Sequence, residues 1–190
     1  MSTSLRFTIA DLEALPDPLD DTRYELIEGA LFVAKQPHWA HQYASFRLAA
    51  AFEVWNRQTG RGVANIAPGV IFSPEEGVAP DVVWISRERR AQGLRADGKL
   101  HAAPELAVEV LSPGDTNERR DREFKRKLYA REGVEEYWLV DWRARTVEVY
   151  RRTGDLLQLA QTLTDADTLA SPLLPGFAYP VRDLWEPPLD

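Results

Sequence analysis

The stretch Leu106-Ala-Val-Glu-Val-Leu111 constrains this chain more than any other. All but one of its residues are apolar, and a strand apolar on both faces must be covered on both faces. The exception is Glu109. Counting by twos, its side chain shares a face with Ala107 and Leu111, while Val108 and Val110 face the other way. A carboxylate there is costly unless something compensates it. A buried salt bridge, a strand end tipping into solvent, or a metal-binding or catalytic role would each account for it.

The rest of the chain supplies the cover. Phe7 to Leu15 reads as a short helix with Thr8 as N-cap, ended by Pro16 and Pro18. Tyr24 to Gly29 and Ala30 to Ala34 read as two short strands about a Glu28-Gly29 turn. His38 to Thr59 has helical spacing of Ala44, Leu48, Ala51, Phe52 and Trp55, with Gly60 as its C-cap. Val63 to Phe72 reads as a strand interrupted by Pro68, and Asp81 to Ile85 as another. Ser112-Pro113-Gly114 ends the Glu109 strand, and Arg119 to Glu132 is a helix closed by Gly133. Glu136 to Asp141 and Thr146 to Arg151 read as a hairpin, residues 155 to 170 as an edge hairpin, and Pro172 to Pro188 as a wrapping tail. Tyr137, Trp138 and Trp142 read as packing residues. The order predicts a mixed α/β (α+β) fold with one central sheet flanked by helices. At 190 residues the expectation is one domain, 1–190.

Composition narrows the chemistry. The chain has no cysteine, which removes disulfides, zinc thiolate sites and cysteine nucleophiles. No apolar run approaches the roughly 20 residues of a membrane span. Met1 to Asp11 lacks a basic region followed by an apolar block, so the expectation is a cytoplasmic protein without membrane contact. With 23 basic against 30 acidic residues, the net charge of −7 argues against a chain coated for indiscriminate DNA binding. Yet positive charge gathers in two runs, Arg87 to Lys99 and Arg119 to Arg131. Each is either a local patch for a polyanion or a solvated face laced with ion pairs.

A second carboxylate, Asp81, follows Pro80 at the mouth of its strand, where an Asp can also serve as a turn residue. If the two acidic strands are neighbours, about 4.8 Å apart, Asp81 and Glu109 can share one hard cation such as Mg²⁺. The helix after Glu109 carries two lysines. Taking Phe124 as zero, Leu128 falls at about 40°, Lys125 at about 100° and Lys127 at about −60°. Both flank the buried stripe, and geometry alone does not choose between them. Asp121 and Tyr129 bracket Lys125 at four residues on either side, so a surface ion pair with Asp121 is the simpler role.

Pro80-Asp81, Glu109 within VEVLS, DREFK at 121–125 and GVEEYWLVD at 133–141 together resemble the Uma-type endonuclease family of the PD-(D/E)XK restriction-endonuclease-like superfamily. RYELIEG at 23–29 and His41-Gln42 resemble its N-terminal half, and the resemblance runs over roughly residues 7–150. It implies a restriction-endonuclease-like sheet flanked by helices, with added N-terminal strands and a C-terminal hairpin. It also implies a Mg²⁺- or Mn²⁺-dependent phosphodiesterase. Asp81 and Glu109 match the metal-binding positions, with the Val110 carbonyl as a further donor. The superfamily pattern places a lysine two residues past the Glu; here that residue is Leu111, and Lys125 matches the helix-borne lysine of the Uma-type family. Glu25 matches an acidic position of the N-terminal strand. His41 matches a frequent histidine, whose simpler role would be helix capping.

These residues predict hydrolysis of nucleic acid, DNA first, with Arg119, Arg120, Arg122 and Lys127 as phosphate contacts and a homodimer as the assembly. Two rival readings remain. One is a nuclease-fold module that binds nucleic acid or a partner protein without cutting. The other is a metal-free carboxylate-pair hydrolase, which needs no lysine.

Overall fold

A computed structural model describes residues 5–15, 22–34 and 36–187; Pro16, Pro18 and Pro188 lie outside them. In chain order its elements are α1 (Ile9–Glu13), β1 (Arg23–Ile27), β2 (Ala30–Ala34), α2 (Trp39–Thr59), β3 (Gly62–Ile66), β4 (Val70–Ser73), β5 (Glu76–Val78), β6 (Val82–Ser86) and α3 (Arg87–Gly93). There follow β7 (Leu106–Val110), α4 (Asp115–Arg119), a π-helical turn (Arg120–Lys125), α5 (Arg126–Glu132), β8 (Glu136–Asp141), β9 (Thr146–Thr153) and β10 (Leu156–Leu163). The strands β11 (Thr168–Leu169) and β12 (Tyr179–Pro180) and a 3₁₀ turn at Val181–Leu184 close the chain.

The six-stranded sheet runs β10-β9-β8-β7-β6-β3. β7 lies inside it, parallel to β8 and antiparallel to β6, and every one of its residues is buried. Its even residues meet α2: Val108 and Val110 pack with Ala44, Leu48, Phe52 and Trp55. The tail completes that layer through Leu174, Phe177, Val181 and Leu184. The odd residues Ala107 and Leu111 meet Leu128 and Tyr129 of α5 and Ile27 of the second sheet. The alternation read from the sequence therefore holds, and Glu109 faces the α5 side. Tyr137 and Trp138 are wholly buried, as their packing role requires.

Elsewhere the local expectations meet tertiary constraints. Thr8 caps α1 in a capping box with Asp11. Glu28 and Gly29 both take positive φ, as a tight hairpin between β1 and β2 demands. The single strand expected over Val63 to Phe72 is two strands in different sheets. Ala67, at φ 47°, and Pro68 turn the chain out of the large sheet and into a smaller one, β2-β1-β5-β4. β5 and α3 had no reading of their own, because three residues (Glu-Gly-Val) and a seven-residue Arg-rich turn are too short to show a period. The edge hairpin expected within 155–170 is instead β10 paired with β9.

The helix expected over Arg119 to Glu132 starts earlier and is interrupted by the π-turn. This matters for direction. Five residues of α-helix, at about 100° each, would set Arg120 and Lys125 about 140° apart. A turn closed by i→i+5 bonds brings them to one side, and both side chains are buried.

The large sheet allows a test of its edge. A Cβ on Gly62 would lie 2.4 Å from the Ile85 carbonyl oxygen and 2.7 Å from the Trp84 ring. Gly62→Ala is expected to cost about 1–3 kcal/mol, seen as a lower urea midpoint.

Candidate active site

Three elements converge where the two sheets meet. β6 is entered through Pro80-Asp81, β7 carries Glu109, and the register Val82↔Val108 sets Asp81 across from Glu109 at the next step. Like charges placed opposite each other in a sheet repel unless something answers them. The answer is Lys125. Its Nζ lies 3.0 Å from Glu109 Oε1, 2.8 Å from Glu25 Oε1 and 3.8 Å from Asp121 Oδ1. The expected ion pair with Asp121 is thus present, but it is buried rather than on the surface and is shared with Glu109 and Glu25, with the lysine side chain 2 % exposed.

Glu25 comes from β1 of the smaller sheet. Its Oε1 accepts the Ala79 N–H at 2.9 Å, which fixes the approach to Asp81. Arg120 pairs with Asp121 through Nε at 2.8 Å and reaches Glu25 Oε2 at 3.7 Å. Glu109 Oε1 also accepts the Tyr129 hydroxyl at 2.6 Å. Asp81 Oδ2 accepts the Val110 N–H at 2.8 Å and faces His41 Nε2 at 3.1 Å. His38, not His41, caps α2: its Nδ1 accepts the Ala40 N–H.

These environments move the carboxyls apart. Burial pushes the Glu109 carboxyl well above its ordinary range; Lys125 opposes this, while Asp81, Asp121 and Glu25 add to it. Burial also acts to raise Asp81, but the His41 hydrogen bond, the Lys125 charge and the Val110 N–H outweigh it and hold Asp81 low. Burial raises Asp121 against the pull of Lys125 and Arg120. Burial disfavours the Lys125 ammonium, yet Glu109, Glu25 and Asp121 prevail and hold it above the ordinary lysine value.

Glu25, His41, Asp81, Glu109, Arg120 and Lys125 line one cavity of about 40 Å³. That is room for an ion and a water or two, at about 10–15 Å³ per water. A larger apolar hollow of about 260 Å³ lies between α1 and the smaller sheet. Its charged rim, Glu13 and Lys99, is paired within itself at 3.0 Å.

The other sequence-derived residues lie apart. Arg119 is exposed, beside Glu123 and over the Phe124 ring. Arg122 pairs with Glu148 at 2.7 Å, and Lys127 is exposed on a groove formed with Leu156 to Leu159. Of the four basic residues expected at phosphates, the structure brings only Arg120 to the carboxylates. Tyr129 had no reading as a site residue; its position four residues past Lys125 was the available signal.

Whether a divalent ion suits this site follows from its donors. Among the described residues, no three His, Asp or Glu side chains are grouped as a metal cage. Mg²⁺ does not need one, since it takes one or two carboxylates and keeps its waters. Four carboxylates, Glu25, Asp81, Glu109 and Asp121, gather about Lys125 and Arg120, and Arg23 also lines the cavity. Burial holds the Glu109 carboxyl above its ordinary range, and a dication beside Asp81 and Glu109 would supply the positive charge that favours its ionised form.

The central mixed sheet flanked by helices gives this chain a nuclease-like fold. The profile of the Uma2 family, described as putative restriction endonucleases, matches residues 9–182, and the chain belongs to that family. Among solved structures it is similar to a putative nuclease of the DUF820 group from Anabaena variabilis, at 18% identity and a TM-score of 0.73. That match covers 94% of this chain and 97% of the other. The type IIG restriction endonuclease BpuSI is a distant match, at 13% identity and a TM-score of 0.40, over 80% of this chain and 16% of that one. No curated protein sequence matches. No helix among the described residues is long and apolar enough to cross a membrane.

Proposed function

We propose that this chain hydrolyses phosphodiester bonds of DNA with the help of Mg²⁺ or Mn²⁺. One observation carries the reading: Asp81 and Glu109 on adjacent strands, with the Lys125 ammonium 3.0 Å from Glu109 in a small cavity. Asp81 and Glu109 would hold the ion, with the Val110 carbonyl as a further donor. Bound there, the ion supplies Lewis acidity, polarising the phosphate and lowering the pKa of a water.

The chain's own groups do the rest. Lys125 orients the attacking water and sets a fixed positive charge where negative charge develops on the phosphate. Glu25 holds that ammonium in place through its 2.8 Å contact. Arg120, already at the cavity, supplies a guanidinium for a phosphate oxygen. Arg119, on the exposed side of the same helical segment, contacts the backbone farther out. The lysine bridge argues against a metal-free carboxylate pair, which has no use for it.

The test is cleavage of supercoiled plasmid and of a single-stranded oligonucleotide with Mg²⁺ or Mn²⁺, with EDTA, and with Asp81→Ala. Cleavage is expected only with metal and wild-type protein. Losing the ion's share, several kcal/mol at about 1.4 kcal/mol per tenfold, lowers the rate about 10³-fold. A folded wild-type protein that leaves both substrates intact with either metal refutes the reading.

A further inference from the structure

Each of the paired carboxylates is held by one oxygen. Asp81 Oδ2 takes both the Val110 N–H and His41 Nε2, at 2.8 and 3.1 Å. Glu109 Oε1 takes both the Tyr129 hydroxyl and the Lys125 ammonium, at 2.6 and 3.0 Å. Asp81 Oδ1 and Glu109 Oε2 take no hydrogen bond among the described residues. Nor are they sealed in: the buried side-chain polar atoms left without a partner there are His41 Nδ1 and Asn56 Nδ2.

His41 is not itself placed as a ligand. Its ring is 4 % exposed, Nε2 is spent on Asp81, and Nδ1 is buried. A proton on Nε2 serves Asp81 and leaves only a lone pair at Nδ1, the cheaper group to bury unanswered. Tyr129 is likewise wholly buried, with its hydroxyl committed to Glu109.

We propose that His41 and Tyr129 are positioning residues: each ties down one oxygen of a carboxylate, so that Asp81 and Glu109 each offer a single oxygen to a divalent cation. The proposal rests on the metal-dependent reading above and adds a selectivity to it. Ca²⁺ takes six to eight oxygens and uses bidentate carboxylates, whereas Mg²⁺ demands octahedral geometry and retains water. Mn²⁺ shares the octahedral oxygen preference. Two carboxylates restricted to one oxygen each favour Mg²⁺ and Mn²⁺ over Ca²⁺.

The experiment is calorimetric titration of Mn²⁺, and separately Ca²⁺, into the full chain without nucleic acid. Wild type is expected to bind Mn²⁺ more tightly than Ca²⁺. His41→Leu removes the donor, and Tyr129→Phe removes only the hydroxyl. Each is expected to weaken Mn²⁺ by about 10–100-fold, the usual effect of losing a group that orients a ligand, and to narrow the preference over Ca²⁺. His41→Gln, whose amide nitrogen reaches the place of Nε2, is expected to recover most of the Mn²⁺ affinity. Circular dichroism establishes that each variant is folded. Folded His41→Leu and Tyr129→Phe proteins that bind Mn²⁺ like wild type overturn the proposal and leave the metal-dependent reading standing. So does a His41→Gln protein as weak as His41→Leu. A folded wild type that binds no Mn²⁺ overturns both.

Discussion

Replacing Lys125 with methionine is expected to cost about 3–5 kcal/mol of stability, because it strands buried carboxylates without their counter-charge. Methionine keeps the length of the apolar stem, so the loss reports charge rather than a cavity. Glu25 and Glu109 lose contacts at 2.8 and 3.0 Å, and neither has water to replace them, at 4 % and 2 % side-chain exposure. Urea unfolding at neutral pH measures the loss. The plasmid assay is expected to show cleavage down by about 10²–10³-fold, the range for removing one preorganised charge-stabilising group. Lys127→Met supplies the contrast. Lys127 is exposed, and its replacement should stay within about 0.5 kcal/mol. A lysine held above its ordinary value contributes its full share below its unfolded-state value and loses it only as the pH climbs through the raised one. Lys125 itself stays charged throughout the neutral range, so the pH dependence of its effect is that of Glu109: the cost of Lys125→Met should grow as the pH rises and Glu109 ionises.

Glu109→Gln is expected to act in the opposite direction on stability while also abolishing cleavage. Burial, helped by three neighbouring carboxylates, raises the Glu109 carboxyl in the folded state. A raised acid contributes stability that is complete below its unfolded-state value, about 4.3, and is lost as the pH rises through the folded one. Without metal, the wild-type chain should lose stability on going from mildly acidic to mildly alkaline conditions. Asp81, held low, titrates below that window and does not offset the loss. Glutamine keeps the shape, and its amide oxygen can still accept from Tyr129, but it carries no charge. The variant is expected to be more stable than wild type at alkaline pH by about 1 kcal/mol or more, with a flatter pH profile. Some slope should remain from Asp121, which burial also raises. Thermal unfolding across pH measures both features. Equal profiles for variant and wild type would show that Glu109 is not the group under strain. Such a gain at the expense of activity is the trade expected where a charged site is held against its own repulsion.

Part of this arrangement is legible in the sequence, for identifiable reasons. Glu109 stood out because a six-residue apolar run tolerates no idle charge, and Asp81 because Pro80 pins it to a strand mouth. The periods of two and of about 3.6 residues gave the faces of β7 and α2, but the pairing of β6 with β7 and the packing of α2 on Val108 and Val110 are long-range and came only with the fold. What stayed hidden has two causes. The choice between Lys125 and Lys127 depended on helical angle, and the π-turn at Arg120–Lys125 breaks the assumption of about 100° per residue. The contacts of Glu25 with Lys125 and of His41 with Asp81 join residues far apart in the chain, and no local period encodes a long-range contact. Charge runs were the weakest guide. Arg120 turned inward to Asp121 and Glu25, while Arg122 and Arg119 found carboxylates of their own.

Two positions beyond Glu109 the strand carries Leu111, wholly buried against α5. Because the ammonium arrives from the helical segment, the strand is free to spend that position on the core. The position of Nζ is set by the docking of Leu128 and Tyr129 rather than by a fixed interval along the strand from Glu109. Spacing along the chain and placement in space become separately heritable. A lineage built this way can drift out of any fixed-interval signature while its charges stay where they were, and its kinship is kept in the pitch of one helical turn rather than in the letters between two residues.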